Sequence, residues 1–245
     1  LPEQIRFSTT EAALDFEVAQ ANRAQLAAAG DPPLAAGSDV AVRLHETALN
    51  NYTASILGGV TISETDPAEG TKADASLPTF IRDAWKERMD EKADAAADAD
   101  FKPWSLTFHS GRPVDVVFAD GKVVLTLHVA QLTSGDKQFR DWDVTGTFTP
   151  EPDGSGVTLR RDSELDAFPV DRNLVRRESL SARQAAERRN LIEELTRRSD
   201  EGRGFPQTIE VKPLEPSGRL ANVGPLAVGD FISQSGWLTI TWNRQ

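Results

Sequence analysis

The dipeptide Asp120-Gly121 interrupts two alternating apolar runs in PVDVVFADGKVVLTLHVAQL, and no other pair in the chain constrains the fold as strongly. Asp-Gly suits a two-residue type I′ turn, because both central positions need positive φ. A turn there sets Ala119 opposite Lys122 and fixes the register of the hairpin. Phe118 then faces Val123, Val116 faces Leu125 and Val114 faces Leu127 on one apolar side. The other side carries Val117 with Val124, Asp115 with Thr126 and Pro113 with His128.

Further strand patterns surround this hairpin. Trp104, Leu106 and Phe108 alternate with polar residues. Trp142, Val144 and Phe148 do the same up to TPEPDGSG, where a loop is expected, and Val157 and Leu159 begin the return strand. QTIEVKPLE and FISQSGWLTITWNRQ read as strands, with Leu238, Ile240 and Trp242 on one face and Trp237, Thr239 and Thr241 on the other. Near the N-terminus Ile5 and Phe7 mark a short extended piece, and an alanine-rich helix is expected from about Glu11 to Ala28, ending at Gly30. Residues 29–38 then form a linker.

In SDVAVRLHETALNNYTASILGG the period changes within a few residues. Val40, Val42 and Leu44 alternate with Arg43 and His45, and from Ala48 a helical stripe of Leu49, Tyr52 and Ile56 runs to Gly58 and Gly59. Residues 63–76 are turn-rich, and Phe80, Ile81, Ala84, Trp85 and Met89 predict an amphipathic helix. The acidic residues 90–100 read as a solvated helix end or loop, since the glycine and closing glutamate of a calcium loop are missing. Residues 172–203 form an arginine-rich helix whose Glu and Arg spacings predict a solvated face laced with ion pairs. An acidic partner or an anionic headgroup is the competing reading for its arginines. Many antiparallel strands joined by hairpins, with a few helices between them, predict an α+β fold: a curved antiparallel sheet packed on helices, forming one domain over residues 1–245.

Composition removes several functions. A net charge of −11 and a pI near 4.8 argue against nucleic acid, whose recognition requires a basic face. No apolar run is long enough for a transmembrane segment. With no cysteine the chain has no disulfide, thiolate metal site or Cys nucleophile. His45, His109 and His128 lack metal-ligand spacing, and each falls at the polar phase of a strand, where simple exposure is expected. No GxSxG elbow, P-loop or GxGxxG fingerprint is present, so no catalytic residue, metal or cofactor is assigned. Asp141 and Asp143 lie on one face of a strand, but in a chain with 38 acidic residues such a pair carries little weight as a glycosidase dyad.

The strand-to-helix segment VAVRLHETALNNYTASILGG, the two-faced hairpin VDVVFADGKVVLTLHV and the apolar terminal strand together resemble the tubular lipid-binding superfamily. That resemblance implies a strongly curved sheet wrapped on a helix, an apolar groove for a lipid or other apolar ligand, and no catalysis. The chain also resembles secreted bacterial proteins in which such a region is the C-terminal part of a longer polypeptide, implying an extracytoplasmic location: periplasmic, envelope-associated or secreted. The arginine-rich helix is not part of the superfamily pattern. A groove would draw on Val114, Val116, Phe118, Val123, Leu125 and Leu127 of the hairpin, and on Leu49, Tyr52 and Ile56 of the helix. The opposing expectation is that these two surfaces pack against each other, leaving a structural module whose partner is another protein.

Overall fold

The structure, a computed structural model, describes residues 4–9, 14–19, 27–30, 37–63, 104–153, 156–162, 164–170, 180–200, 205–211, 213, 215 and 224–244. Strands β1 (Gln4–Thr9) and β2 (Leu14–Ala19) form an antiparallel pair of their own. Then come β3 (Val40–His45), α1 (Glu46–Leu57), β4 (Thr61–Ser63), β5 (Trp104–Phe108), β6 (Val114–Ala119), β7 (Lys122–Ser134), β8 (Lys137–Asp153), β9 (Gly156–Arg161) and β10 (Asp166–Pro169). The last elements are α2 (Ala182–Asp200), β11 (Thr208–Val211), β12 (Leu226–Gln234) and β13 (Trp237–Arg244). A large antiparallel sheet has the order β11-β9-β8-β7-β5-β4, with β10 added to β8 and β6 to β7. A small sheet has the order β12-β13-β3. The architecture is α+β and dominated by strands, the large sheet curling into a half-barrel.

The Asp120-Gly121 hairpin forms in the expected register, from Ala119 opposite Lys122 to Val114 opposite Leu127. Both turn residues have positive φ, +51° and +74°, which the missing Cβ of Gly121 permits without strain. A second such turn at Ser235-Gly236 divides FISQSGWLTITWNRQ into β12 and β13. Strand β8 also outruns its expected end, continuing through Pro150 and Pro152 to Asp153. Beyond Phe148 it pairs with β9 but no longer with β7, and on an edge that needs no donors proline is tolerated.

The curl has a local cause. Phe108 pairs with Val129 but Thr107 pairs with Gln131, leaving Ala130 as an extra residue on β7. On the other side of β7, Asp141 of β8 has φ +58°. The two irregularities exchange the faces of both strands, so that Val129 and Leu132 are both buried, as are Trp142 and Phe139. Further along β8, Gly146 admits the ring of Phe205, since a Cβ there would lie 2.5 Å from Phe205 Cε1. Phe205 stacks on Phe148 with centroids 6.1 Å apart.

Four helical expectations are corrected or leave the described residues. Residues 14–19 are a strand, not part of a helix from Glu11 to Ala28. Leu14, Phe16 and Val18 alternate with Asp15 and Glu17, a period of two that the surrounding alanines obscure. Helix α1 begins at Glu46 rather than Ala48, because His45 acts as its N-cap, its Nδ1 accepting from the Thr47 amide at 3.2 Å. Of the helix expected at 172–203, the structure places Ala182–Asp200, and it is not solvated all round: Leu191, Glu194, Arg198 and Ser199 are buried. The amphipathic helix at 80–89, the acidic residues 90–100 and residues 64–76 lie outside the described residues.

Strand β6 pairs with β7 on one side only, and its other edge is closed by side chains and by the small sheet. Asn50 of α1 donates from Nδ2 to the Val116 carbonyl at 3.0 Å and accepts the Val116 amide at Oδ1 at 2.7 Å, as a neighbouring strand would. Glu46 Oε2 accepts the Phe118 amide at 2.9 Å, and the Gly236 amide donates to the Phe118 carbonyl at 2.8 Å. The Gly121 amide donates to the Ser233 carbonyl and the Ser233 hydroxyl to the Lys122 carbonyl, so the large and small sheets meet through this edge. Removing the amide with Asn50→Ala strands two buried backbone groups, an expected loss of about 1–3 kcal/mol by urea denaturation. An unchanged midpoint would mean that the edge is satisfied by other groups.

Candidate functional site

The register of β6, β7 and β8 brings three titratable side chains together on the face opposite the apolar core. His128 pairs with Asp143 across β7 and β8, and Asp115 lies on β6 one diagonal step from His128. The imidazole is held from both ends: Nε2 is 2.9 Å from Asp115 Oδ2, and Nδ1 is 2.6 Å from Asp143 Oδ1. Arg112 donates to the other oxygen of Asp115. On the same face Thr126 and Thr145 share a hydroxyl hydrogen bond of 2.9 Å. The His128 side chain is only 16% exposed and that of Asp115 only 12%, so the network is largely withdrawn from water.

The electrostatics favour a charged imidazole. Hydrogen bonds to Asp115 and then Asp143 outweigh the cost of burial and raise the His128 pKa from 6.5 to about 9. Burial opposes ionisation of Asp115, but hydrogen bonds from His128 and Arg112 prevail and its pKa lies below 3.8. An imidazolium with both N–H groups engaged has no free nitrogen for a metal or a proton in transit. Chemically the arrangement is a clamp across three strands. His109 lies at the nearby sheet bend, its Nε2 3.4 Å from the carboxylate of Asp141. The backbone turn at Asp141 thus sends Asp141 to one histidine while Asp143 serves another, so the expected carboxylate pair is divided between separate tasks.

A second buried cluster fastens α2 to the β7–β8 turn. Glu194 accepts from the Ser134 hydroxyl, from Arg197 at 2.6 Å and from Arg198 Nε at 2.9 Å. Arg198 also donates to Ser134 at 2.7 Å. Burial raises the Glu194 pKa, the hydrogen bonds from Ser134 and both arginines lower it, and the balance sits at about 2. Neither cluster is apparent from spacing along the chain. The hairpin register set Asp115 and His128 on one face, but the third strand and the helix dock from far along the sequence. Contrary to the expectation of simple exposure, His45 is buried beside Trp237 and His128 is half-buried in the clamp.

The apolar candidate residues are placed as follows. Val114, Val116, Phe118 and Val123 are buried in the main core, with Leu125 and Leu127 partly buried against it. Ile56 is buried, Leu49 packs against the same core and Tyr52 is half-buried. Helix α1 meets the hairpin at the edge of β6, where Asn50 and Glu46 bind, and Leu49 reaches the core from there. Among the described residues no three His, Asp or Glu side chains gather about a point that could hold a metal ion, and no helix is long and apolar enough to cross a membrane. Comparison of the chain with protein-family models and with curated proteins finds no match.

The clamp predicts a defined pH dependence. His128 binds its proton more tightly in the folded state, so its stabilisation is full below pH 6.5 and is lost as pH rises towards about 9. Asp115 acts in the opposite sense, its contribution disappearing as pH falls below 3.8. The urea midpoint of the wild-type chain should therefore decline between pH 6.5 and 9 relative to that of His128→Asn, which lacks the titrating group. Parallel profiles for the two proteins would exclude the clamp.

Proposed function

We propose that this chain is a non-enzymatic module that binds a protein partner, acting as a structural or interaction domain. The observation that carries the reading is where the apolar and ionisable groups are spent. The hairpin face that would line a lipid groove is committed to the core, with Phe118 only 1% exposed. The ionisable side chains of the clamp are internally paired, with both nitrogens of His128 in use. What the described surface retains is strand edge and isolated apolar side chains: Val42, Val117 and Ile209 are the large exposed ones. Edges and scattered apolar positions suit recognition of another polypeptide better than enclosure of an acyl chain.

The alternative, binding of a lipid or other apolar ligand in an extracytoplasmic setting, requires an apolar hollow beside this core. Partly buried Leu125, Leu127 and Tyr52 are the residues from which such a hollow would open. Native mass spectrometry of the freshly purified chain, followed by solvent extraction, separates the two. The bare mass, unchanged after incubation with phospholipids and fatty acids, is the expected result. A reproducible adduct that extracts as lipid would reverse the assignment.

A further inference from the structure

The edges of the two larger sheets are treated unequally, and the inequality points to where a partner binds. Strand β6 is closed by Asn50, Glu46 and the β12–β13 turn. The flank of β8 that is unpaired among the described residues carries Pro150 and Pro152, which offer no donors. The outermost strands of the large sheet, β4 and β11, are only three and four residues long. Strand β12, the other margin of the small sheet, is broken by a bulge between Val228 and Phe231 and gives its Ser233 carbonyl to the Gly121 amide. Strand β3 differs from all of these. It is the six-residue margin of the small sheet, it contains no proline, and among the described residues only β13 pairs with it. Its register is firmly set, because the Asp39 carboxylate accepts from the backbone amide and guanidinium of Arg244 on β13.

The side chains of β3 state what kind of strand fits beside it. Val40, Val42 and Leu44 lie on one face opposite Trp242, Ile240 and Leu238, and Val42 is 51% exposed. The other face carries half-buried Arg43, opposite the uncharged Thr239, and among the described residues its buried Nε has no hydrogen-bond partner. Directly opposed charges on neighbouring strands attract and like charges repel. A second copy of this chain adding at the same edge would bring Arg43 towards its own equivalent, between two molecules that each carry −11.

We propose that the outer edge of β3 receives an extended segment of a partner protein as an added strand, with apolar residues beside Val40, Val42 and Leu44 and an acidic residue beside Arg43. This rests on the protein-partner reading above and names the chemistry of that partner. Backbone hydrogen bonds along the edge supply the common part of the affinity, and the alternating side chains supply selection. The apolar half of the added strand would cover the exposed Val42.

The test uses the full chain and a short fluorescein-labelled peptide of alternating valine and glutamate, followed by fluorescence anisotropy. A valine–lysine peptide and a backbone N-methylated valine–glutamate peptide serve as comparisons. The valine–glutamate peptide should bind about tenfold or more tightly than either comparison. Arg43→Glu should reverse the preference towards lysine, and Val42→Asp, at an exposed position, should weaken binding without lowering the urea midpoint. Amide exchange should slow on β3 when peptide is added. Equal binding of all peptides, or no binding by wild-type protein, would overturn the proposal. So would a concentration-dependent dimer abolished by Val42→Asp, which would assign the edge to a second copy. If no peptide binds and the purified chain is also free of lipid, the strand-addition proposal falls while the protein-partner reading stands; extracted lipid would instead remove the reading beneath it.

Discussion

The amide of Asn50 holds together parts of the chain that are distant in sequence. It completes the backbone pairing of Val116 on the outer side of β6, and so converts what would be a bare edge into an internal position. A buried amide and carbonyl without partners would be costly, and a helix cannot ordinarily satisfy a strand edge. A side chain that carries both a donor and an acceptor can do so over one residue. Glu46, one turn earlier, serves the next inward amide, at Phe118, and the Gly236 amide serves the Phe118 carbonyl. The placement of α1, and through it of β3 and the small sheet, follows from this edge.

The same interaction explains why the strand-to-helix transition at His45 is so abrupt. With β3 pinned to β13 and α1 pinned to β6, the chain must change conformation between adjacent residues. His45 makes that change by capping the helix from the last position of the strand. The imidazole is an uncommon cap, and its burial beside Trp237, at a centroid distance of 4.8 Å, holds it in position. Helix entry, strand end and aromatic packing are thereby assigned to one side chain.

Legibility in the sequence followed the range of the interaction. The Asp120-Gly121 hairpin was readable to the residue because turn chemistry and a period of two are local. The second turn, Ser235-Gly236, obeys the same rule but lacks the preferred first residue, since Ser235 must itself adopt φ +51°. The buried hydroxyls of Thr239 and Thr241 defeat the usual reading of a strand, in which the apolar phase marks the core. Alternation shows that a strand has two faces, but which face is covered depends on what packs there. For the clamp, the hairpin placed Asp115 and His128 together, while Asp143 arrived only with the pairing of β8. The Glu194 cluster had less warning still, because its members lie on a helix and a turn separated by about sixty residues of chain.

Curvature and edge protection are linked through the sheet bend at Ala130 and Asp141. The bend turns the far ends of β7 and β8, so that Leu132 and Phe139 are buried and the turn at Ser134 meets Glu194 of α2. At the near ends of the same strands, His128 joins Asp115 to Asp143 and keeps β6, β7 and β8 in register. One pair of strands is therefore gripped by a polar cluster at each side of its bend. A polar cluster of this kind specifies geometry more than it adds net stability, because desolvation offsets much of the attraction between its charges. The register of the large sheet and the closure of β6 thus draw on internally paired polar groups. Since those groups and the main core are engaged within the fold, the proposed recognition draws on the margins, and β3 is a margin whose backbone is open among the described residues.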